Sequence, residues 1–308
     1  MLQCARMFDP SPGDVRPKTG NSLAVTKPHV PADPARKRLP GLAILLGLAL
    51  GLSSAIYLLA PFRTNLLILG VDRRPEQSPA ASRSDTLILL TFIPLQPYAG
   101  MLSIPRDLWV EIPGFGPNRI NAAVFLAEAA RPGHGPRAAI ETVRSNFGVD
   151  VDAYLSIEFS GFVRFVDALG GVDIDLVSAT GGYAIGRHHL DGPQALAFVR
   201  DREGTDDFFR MERGQIIVRS LIQASLRPRT WPRWPLALAT LASAVRTDLP
   251  IWEWPRLGLA LVRAGSNGVD GRVIGRDMVN GFMTDAGAQV LLPDWSQINS
   301  VLLGMFGQ

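Results

Sequence analysis

Apolar residues fall into two patterns along the chain: one long uninterrupted run near the N-terminus, then short runs separated by polar, proline-containing loops. The long run covers 39–62, 24 residues without a charge. As a helix it would extend about 36 Å, enough to cross about 30 Å of hydrocarbon. We therefore predict a transmembrane helix over 39–62. A cleaved signal peptide is the alternative, but its apolar core would be shorter and nearer the N-terminus.

Three short apolar runs follow and predict three buried strands: NLLILGV at 65–71, TLILLTF at 86–92 and GMLSI at 100–104. In an antiparallel meander, the end of the first strand, the start of the second and the end of the third meet at one edge of the sheet. Carboxylates and guanidiniums then converge at that edge, although they are dispersed in sequence. They are Asp72, Arg83, Asp85, Arg106 and Asp107.

Helical and extended segments alternate through the rest of the chain, which indicates an α/β sandwich. The predicted helices cover 136–147, 161–169, 192–199, 207–226 and 295–306, and the predicted strands cover 153–159 and 172–176. Gly170 and Gly171 close the second of these helices, and Asp206 or Asp207 is the expected N-cap of the fourth.

Charge is unevenly distributed between the N-terminal segment and the remainder. Residues 1–38 carry seven basic and three acidic residues and six prolines, which predicts a disordered tail. The cluster Arg36-Lys37-Arg38 stands directly before the span, so the positive-inside rule places the tail in the cytoplasm and residues 63–308 outside. Beyond the tail the charge is close to balanced, which argues against nucleic acid as a partner.

All three lysines and the single cysteine, Cys4, lie in the tail. Schiff-base chemistry, a Walker-type phosphate lysine, disulfides and a cysteine nucleophile are therefore excluded from residues 63–308. Arginine is the cation of this region.

Two groups of residues carry candidate chemistry. Asp72 and Asp85 have the hard oxygen ligands that Mg²⁺ prefers; alone, each is also an ordinary residue of a loop at a strand end. Arg200 and Arg202 precede a helix that begins with Asp207 and Arg210, and such an arrangement suits pyrophosphate. The alternative for Asp207 and Arg210 is an ordinary solvent-exposed ion pair on a helix surface.

Two further features have less specific meaning. His188 and His189 have no third ligand near them in sequence, which favours a loop role over a metal site. Four tryptophans in the region 227–255 suit either core packing, the favoured interpretation for most of them, or contact with a membrane or a lipid tail. They are Trp231, Trp234, Trp252 and Trp254.

Taken in order, several stretches resemble the LytR-CpsA-Psr family of cell-wall enzymes. They are NLLILGVDRR at 65–74, SRSDTLILL at 82–90, LSIPRDLWVEIPG at 102–114, RINAA at 119–123, VDAYLSIEFSGFVRFVDALGGVDIDL at 151–176, HLDGPQALAFVRDR at 189–202 and DFFRMERGQ at 207–215. The resemblance covers nearly all of 65–308 and is weaker between 227 and 275. The fold expected is a three-layer α-β-α sandwich with a mixed central sheet after one transmembrane helix, with a core at 65–226 and a helical C-terminal part at 227–308.

The resemblance implies an Mg²⁺-dependent transferase that joins a polyprenyl-pyrophosphate-linked glycopolymer, such as teichoic acid, to peptidoglycan at the membrane. Asp72 and Asp85 would bind the metal, and Asp207 would support Arg83 or Arg202. Asp85, Arg83 and Arg106 are the catalytic candidates, with Asp85 as the base. The pyrophosphate would be held by a set of arginines and Gln215: Arg83, Arg106, Arg119, Arg200, Arg202, Arg210 and Gln215.

Two positions depart from the family pattern. Arg119 stands where the family usually has lysine, and Gly214 intervenes before Gln215, so Gln215 reaches phosphate only if the helix rotates by about 100°. An apolar groove for the polyprenyl chain is expected near the helices at 123–147 and 161–169, lined by Phe125, Leu126, Phe147, Phe162, Phe165 and Val166. A hydrolase acting on the same polymers and a non-catalytic membrane-anchored binding or regulatory module are the alternative functions.

Overall fold

The first element of the described chain is an apolar helix. The computed structural model describes residues 39–71, 84–201, 206–265 and 268–307; the predicted tail, 1–38, lies outside them. Helix α1 (Leu39–Leu59) includes the stretch Gly41–Leu59, long and apolar enough to cross a membrane. It ends three residues before the predicted limit, since Ala60 precedes Pro61 and a residue before proline disfavours helical backbone. Among the described residues, 39–51 belong to one unit, and those from Leu52 onward belong to a second.

A six-stranded mixed sheet is the centre of the second unit, in the order β10-β3-β2-β1-β6-β9. The first three strands form the predicted antiparallel meander, whereas β6 and β10 pair in parallel with β1 and β3. The strands of this sheet are β1 (Thr64–Val71), β2 (Ser84–Phe92), β3 (Ala99–Ile104), β6 (Ala153–Glu158), β9 (Val245–Thr247) and β10 (Val269–Val273).

Within the described residues, three two-stranded hairpins and eight further α-helices surround this sheet. The hairpins are β4 (Trp109–Ile112) with β5 (Gly116–Arg119), β7 (Val172–Leu176) with β8 (Gly186–Leu190), and β11 (Val279–Met283) with β12 (Gln289–Pro293). The helices are α2 (Ala122–Ala130), α3 (Gly135–Phe147), α4 (Phe159–Leu169), α5 (Gly192–Arg200), α6 (Asp207–Leu226), α7 (Trp234–Ala244), α8 (Trp254–Ala264) and α9 (Trp295–Phe306). Asp206 caps α6 through its side chain, and Gly170 caps α4 with φ of 89°, as predicted.

Both faces of the sheet are buried, because successive side chains of a strand point to opposite faces. Leu67 and Leu69 pack on one face with α3 and α9, whereas Leu66 and Ile88 pack on the other face with α8 and α6. The three-layer sandwich with a mixed sheet is therefore confirmed.

Several predictions need correction. Core packing, the favoured interpretation for most of the four tryptophans, is wrong for Trp231, Trp234 and Trp252, which are 60%, 37% and 62% exposed. The C-terminal part, 227–308, is not only helical: it supplies β9 and β10 to the central sheet and the whole β11–β12 hairpin. These strands are short or carry charge and glycine, as in VDGRV of β10, so they lack an apolar run. His188 and His189 lie on strand β8 rather than in a loop.

The residues expected to line one lipid groove do not share a surface. Phe147 lies in the core beneath α3, where its ring meets Trp295 edge to face at 5.3 Å. Val166 is fully buried in a separate core formed by α4, α5, α6 and the β7–β8 hairpin. The helices that contribute to these two cores are similarly apolar in sequence, so the sequence alone did not show that their side chains enter different cores.

Candidate active site

The meander brings dispersed charges together at one edge of the sheet. Val71 at the end of β1 is opposite Ser84 at the start of β2, and Leu87 of β2 is opposite Ile104 at the end of β3. Asp85 and Arg106 therefore come within contact: an Arg106 Nη1 donates to Asp85 Oδ1 at 2.8 Å. The sequence-based prediction of a shared edge is confirmed for this pair.

Arg106 is the centre of the cluster. Its Nε lies 3.5 Å from both Asp107 Oδ2 and Asp207 Oδ1, so three carboxylates face one guanidinium whose side chain is 21% exposed. Burial alone would lower the pKa of Arg106, but Asp207, Asp85 and Asp107 together raise it. Arg106 is therefore held in its charged form.

Helix α6 completes the cluster from the opposite side. Arg210 Nη1 lies 2.9 Å from Asp207 Oδ1, one turn away, and Arg210 Nη2 donates to the carbonyl of Asp85 at 3.2 Å. Burial raises the pKa of Asp207, against the lowering effect of Arg210 and Arg106. Asp207 thus fixes two guanidiniums in place, which goes beyond the solvated helix pair that the sequence also allowed.

Arg119 reaches the same cluster from the β4–β5 hairpin. Its Nε lies 3.3 Å from Asp107 Oδ1, and its Nη2 donates to the Gln289 carbonyl at 2.7 Å. Arg106, Asp107, Arg119 and Asp207 then border a cleft of about 720 Å³, whose far wall is the β11–β12 hairpin with the exposed Phe282 and Met283. No sequence pattern predicted this wall, because β11 and β12 lack a clear alternation of apolar and polar residues.

Arg200 lies at the same edge of the sheet. It ends α5, and its guanidinium stands 4.9 Å from the centre of the Phe159 ring. Phe159 directly follows β6, whose last residue, Glu158, is opposite Val71. Three predicted site residues, Asp72, Arg83 and Arg202, lie outside the described residues, so their roles stay predictions.

Gln215 is not brought to the cluster. Its buried amide nitrogen donates to Ser103 Oγ at 3.0 Å and to the Arg272 carbonyl, so it joins α6 to β3 and β10. Gly214 instead lines a small cavity beside Asp85, Arg106 and Arg210, and a Cβ at this glycine would meet nothing within 4 Å. The inserted glycine therefore turns the glutamine side chain towards the sheet.

Arg276 is a cation that the sequence analysis missed. It pairs with the carboxylate of Asp206, and its guanidinium stacks 5.2 Å from the ring centre of Phe208 and 5.1 Å from that of Phe209. It therefore places a guanidinium, paired with Asp206, against the aromatic rings at the start of α6. Arg276 comes directly after residues 227–275, the region in which the resemblance to the family is weak.

Comparison with known proteins places this geometry in context. A model of the LytR_cpsA_psr family matches residues 61–299. The chain is 36% identical over 191 residues to the polyisoprenyl-teichoic acid–peptidoglycan teichoic acid transferase TagU of Oceanobacillus iheyensis, covering 60% of this chain and 58% of the relative. It is 36% identical over 200 residues to TagU of Halalkalibacterium halodurans, covering 61% and 63%. The chain thus spans about six-tenths of the length of these curated relatives.

A solved structure with the same fold is TagT bound to LIIa-WTA, with a TM-score of 0.63, 24% identity, and coverage of 80% of this chain and 91% of the other. At this identity the likeness concerns the fold. It agrees with the layers and the mixed sheet described above.

Proposed function

The chain belongs to the LytR-CpsA-Psr family, and we propose that it is a membrane-anchored phosphotransferase that moves a polyprenyl-pyrophosphate-linked glycopolymer onto peptidoglycan. The observation that carries the proposal is the cluster around Arg106, in which three carboxylates hold three arginines at the edge of an open cleft. The names of the TagU relatives support the substrate class.

The arginines suit a diphosphate. A guanidinium presents paired donors to phosphate oxygens, and charged hydrogen bonds of this type are about twice as strong as neutral ones. Arg106, Arg119 and Arg210, with Arg200 nearby, would neutralise the pyrophosphate, and Arg83 and Arg202 are proposed to join them. Because Asp207 and Asp107 already orient these guanidiniums, little side-chain entropy remains to be lost on binding.

The proposed transfer step forms one P–O bond and breaks another. An acceptor hydroxyl oxygen of peptidoglycan attacks the phosphorus attached to the polymer, a new P–O bond forms in line, and the bond to the second phosphate breaks. The lipid leaves as polyprenyl phosphate, and the polymer remains as a phosphodiester. Asp85 is the proposed acceptor of the hydroxyl proton, and Arg106 fixes its carboxylate.

Magnesium is proposed as the cofactor, and the donor chemistry fits it. Asp85, together with Asp72, would supply hard oxygen ligands, and Mg²⁺ often uses only one or two carboxylates with phosphate oxygens and water. Among the described residues no group of three Asp, Glu, His or Cys side chains could hold a metal ion, so the proposal rests on Asp85, Asp72 and the phosphate oxygens of the substrate. When bound, Mg²⁺ would withdraw charge from the phosphate oxygens.

The proposed orientation of the chain rests on the charges that flank α1. Arg36, Lys37 and Arg38 precede α1, so residues 63–308 are proposed to lie outside the cytoplasmic membrane, where peptidoglycan is assembled. A reporter enzyme that is active only outside, fused after Gln308, is expected to be active. An inactive reporter there, with activity from a fusion after Arg38, would contradict the proposal.

The decisive assay uses the full chain in lipid nanodiscs with a polyprenyl-pyrophosphate-linked polymer and peptidoglycan. Asp85→Asn should lower turnover by about 10²–10³-fold, and excess chelator should stop the wild type until Mg²⁺ is restored. The matched control is Asp150→Asn, which removes an exposed carboxylate that also pairs with an arginine, at 2.8 Å.

Each readout can contradict a different part of the proposal. Full turnover in Asp85→Asn would contradict the site, and full turnover in chelator would contradict the metal. Polymer released into water, with none attached to peptidoglycan, would indicate the hydrolase.

A further inference from the structure

Helix α7 has no charged residue and turns its large side chains outward. Its sequence from Trp234 to Ala244 is WPLALATLASA, and its buried residues are only Ala237 and Ala244. Leu236 is 63% exposed and Leu238 49% exposed. A surface helix in water normally has the opposite pattern, with its apolar stripe inward and charged residues outward.

Small residues form the contact between α7 and the rest of the fold. A Cβ added to Gly161 of α4 would lie 2.4 Å from the Cβ of Ala244, so the two backbones approach closely. Small residues between helices, with large apolar residues turned away, are the packing that helices adopt in lipid.

The polar side chains of α7 are satisfied within the protein. Thr240 Oγ1 donates to the Leu236 carbonyl at 2.8 Å, and Ser243 Oγ donates to the Thr240 carbonyl at 2.8 Å. The indole of Trp234 donates to the Ser225 carbonyl at 3.2 Å. The outer face therefore loses no side-chain hydrogen bond when it leaves water.

This face continues to the residues that hold the end of α1. Leu238 and Leu241 share an apolar groove of about 440 Å³ with Ile251 and Trp254. Two residues beyond Ile251, Glu253 accepts a hydrogen bond from the hydroxyl of Tyr57.

Arg256 fixes the same junction, because its Nη2 donates to the carbonyls of Ala60 and Phe62. Tyr57 lies in the last turn of the apolar helix, and tyrosine at the end of a spanning helix is typical of the headgroup region. The outer face of α7 is thereby continuous with the residues that contact the end of α1.

We propose that α7 and the turn Ile251–Glu253 rest in the interface of the bilayer that α1 enters, with their large side chains among the lipids. Eleven residues extend about 16 Å, too short to cross the hydrocarbon. Trp231 and Trp252, 60% and 62% exposed, flank the face as interfacial anchors. Arg233, exposed on the turn before α7, would meet anionic headgroups, whereas Arg229 already pairs with Asp173 Oδ2 at 3.0 Å.

The experiment measures depth with spin labels on the full chain in bilayers of phosphatidylglycerol and phosphatidylethanolamine. A Cys4→Ser background carries Leu238→Cys, or Leu236→Cys as a second site, each labelled with a nitroxide. Val177→Cys is the matched control, because Val177 is apolar and 93% exposed on a turn after β7. Melting temperatures equal to that of the background show that each variant is folded.

Collisions with oxygen, which enters lipid, are compared with collisions with a water-soluble nickel chelate. The ratio of oxygen to nickel collisions should be several-fold higher at 238 and 236 than at 177, without any added substrate. Equal ratios at all three positions would overturn the proposal. A high ratio at 238 that requires added polyprenyl phosphate would also overturn it, because the groove would then hold a substrate chain rather than the bilayer.

Discussion

The contact between Arg106 and Asp85 predicts a strong energetic coupling that can be measured directly. Arg106→Met keeps the apolar stem and removes the charge, and Asp85→Asn keeps the shape of its partner. The two atoms are 2.8 Å apart, and the side chains are 21% and 28% exposed. A charged hydrogen bond at this depth corresponds to a coupling of about 1.5–3 kcal/mol in a double-mutant cycle.

A second pair in the same chain supplies the control. Arg144 and Asp150 are also 2.8 Å apart, but their side chains are 51% and 73% exposed. An exposed ion pair should couple by only about 0.2–1 kcal/mol, because water screens the charges. Both cycles can be measured by denaturant unfolding of the full chain in detergent, with tryptophan fluorescence used to monitor unfolding.

The pH dependence of Arg106→Met gives a further check with a definite sign. Arg106 lowers the pKa of Asp207, which burial raises, so removal of the arginine raises that pKa further. A carboxylate whose folded pKa exceeds its unfolded value of about 3.9 destabilises the fold at neutral pH, and this penalty disappears as pH falls through the folded pKa. The stability deficit of Arg106→Met should therefore shrink from pH 7 to pH 4. A constant deficit, or a coupling as small as that of Arg144 and Asp150, would refute the arrangement around Arg106.

Two other changes test structural roles away from this centre. His189, Arg227 and Arg187 lower the pKa of Asp173 against the effect of burial, so Asp173→Asn should reduce stability by about 2–3 kcal/mol at pH 7. Because the folded pKa lies below the unfolded value of about 3.9, this difference should fade as pH falls below 4 in unfolding curves; a difference that persists would exclude the ion pairs as its cause. Gln215→Leu should cost about 1–3 kcal/mol of stability, since Ser103 and the Arg272 carbonyl lose a buried donor, while KM for the lipid-linked donor stays unchanged. A raised KM with unchanged stability would restore Gln215 as a phosphate ligand.

The sequence predicted the meander and its charged edge because both depend on local signals. Uninterrupted apolar runs define β1, β2 and β3, and antiparallel order then fixes which ends meet, so the approach of Asp85 to Arg106 followed from topology alone. Helix α6 and its N-cap at Asp206 were equally clear, because an acidic cap precedes a long helical segment.

The parts that were missed depend on tertiary contacts. Strand β10 contains Asp270, Gly271 and Arg272, and only its pairing with β3 makes it a strand. The orientation of Gln215 depends on the rotation of α6 against the sheet, which a motif with an inserted glycine does not specify. Phe282 and Met283, which form the far wall of the cleft, lie on β11, and most of this strand is exposed. Its sequence therefore lacks the alternation of apolar and polar residues that predicts a strand.

The course of β1 and α7 bears on how far the lipid carrier of the proposed substrate would have to move to reach the cleft. The eight residues of β1 separate Arg63, beside the span, from the charged cluster by about 25 Å. Helix α7 begins where Arg233 meets the Leu169 carbonyl and ends beside Val245, opposite Ile157 near that same cluster. If β1 lay along the membrane normal, isoprene units of the proposed lipid-linked donor would have to leave the bilayer, at about 0.8 kcal/mol for each CH₂ left in water. With α7 in the bilayer interface, as proposed, the cleft would lie closer to the headgroups, and the pyrophosphate of that donor could enter while its tail stays in the membrane.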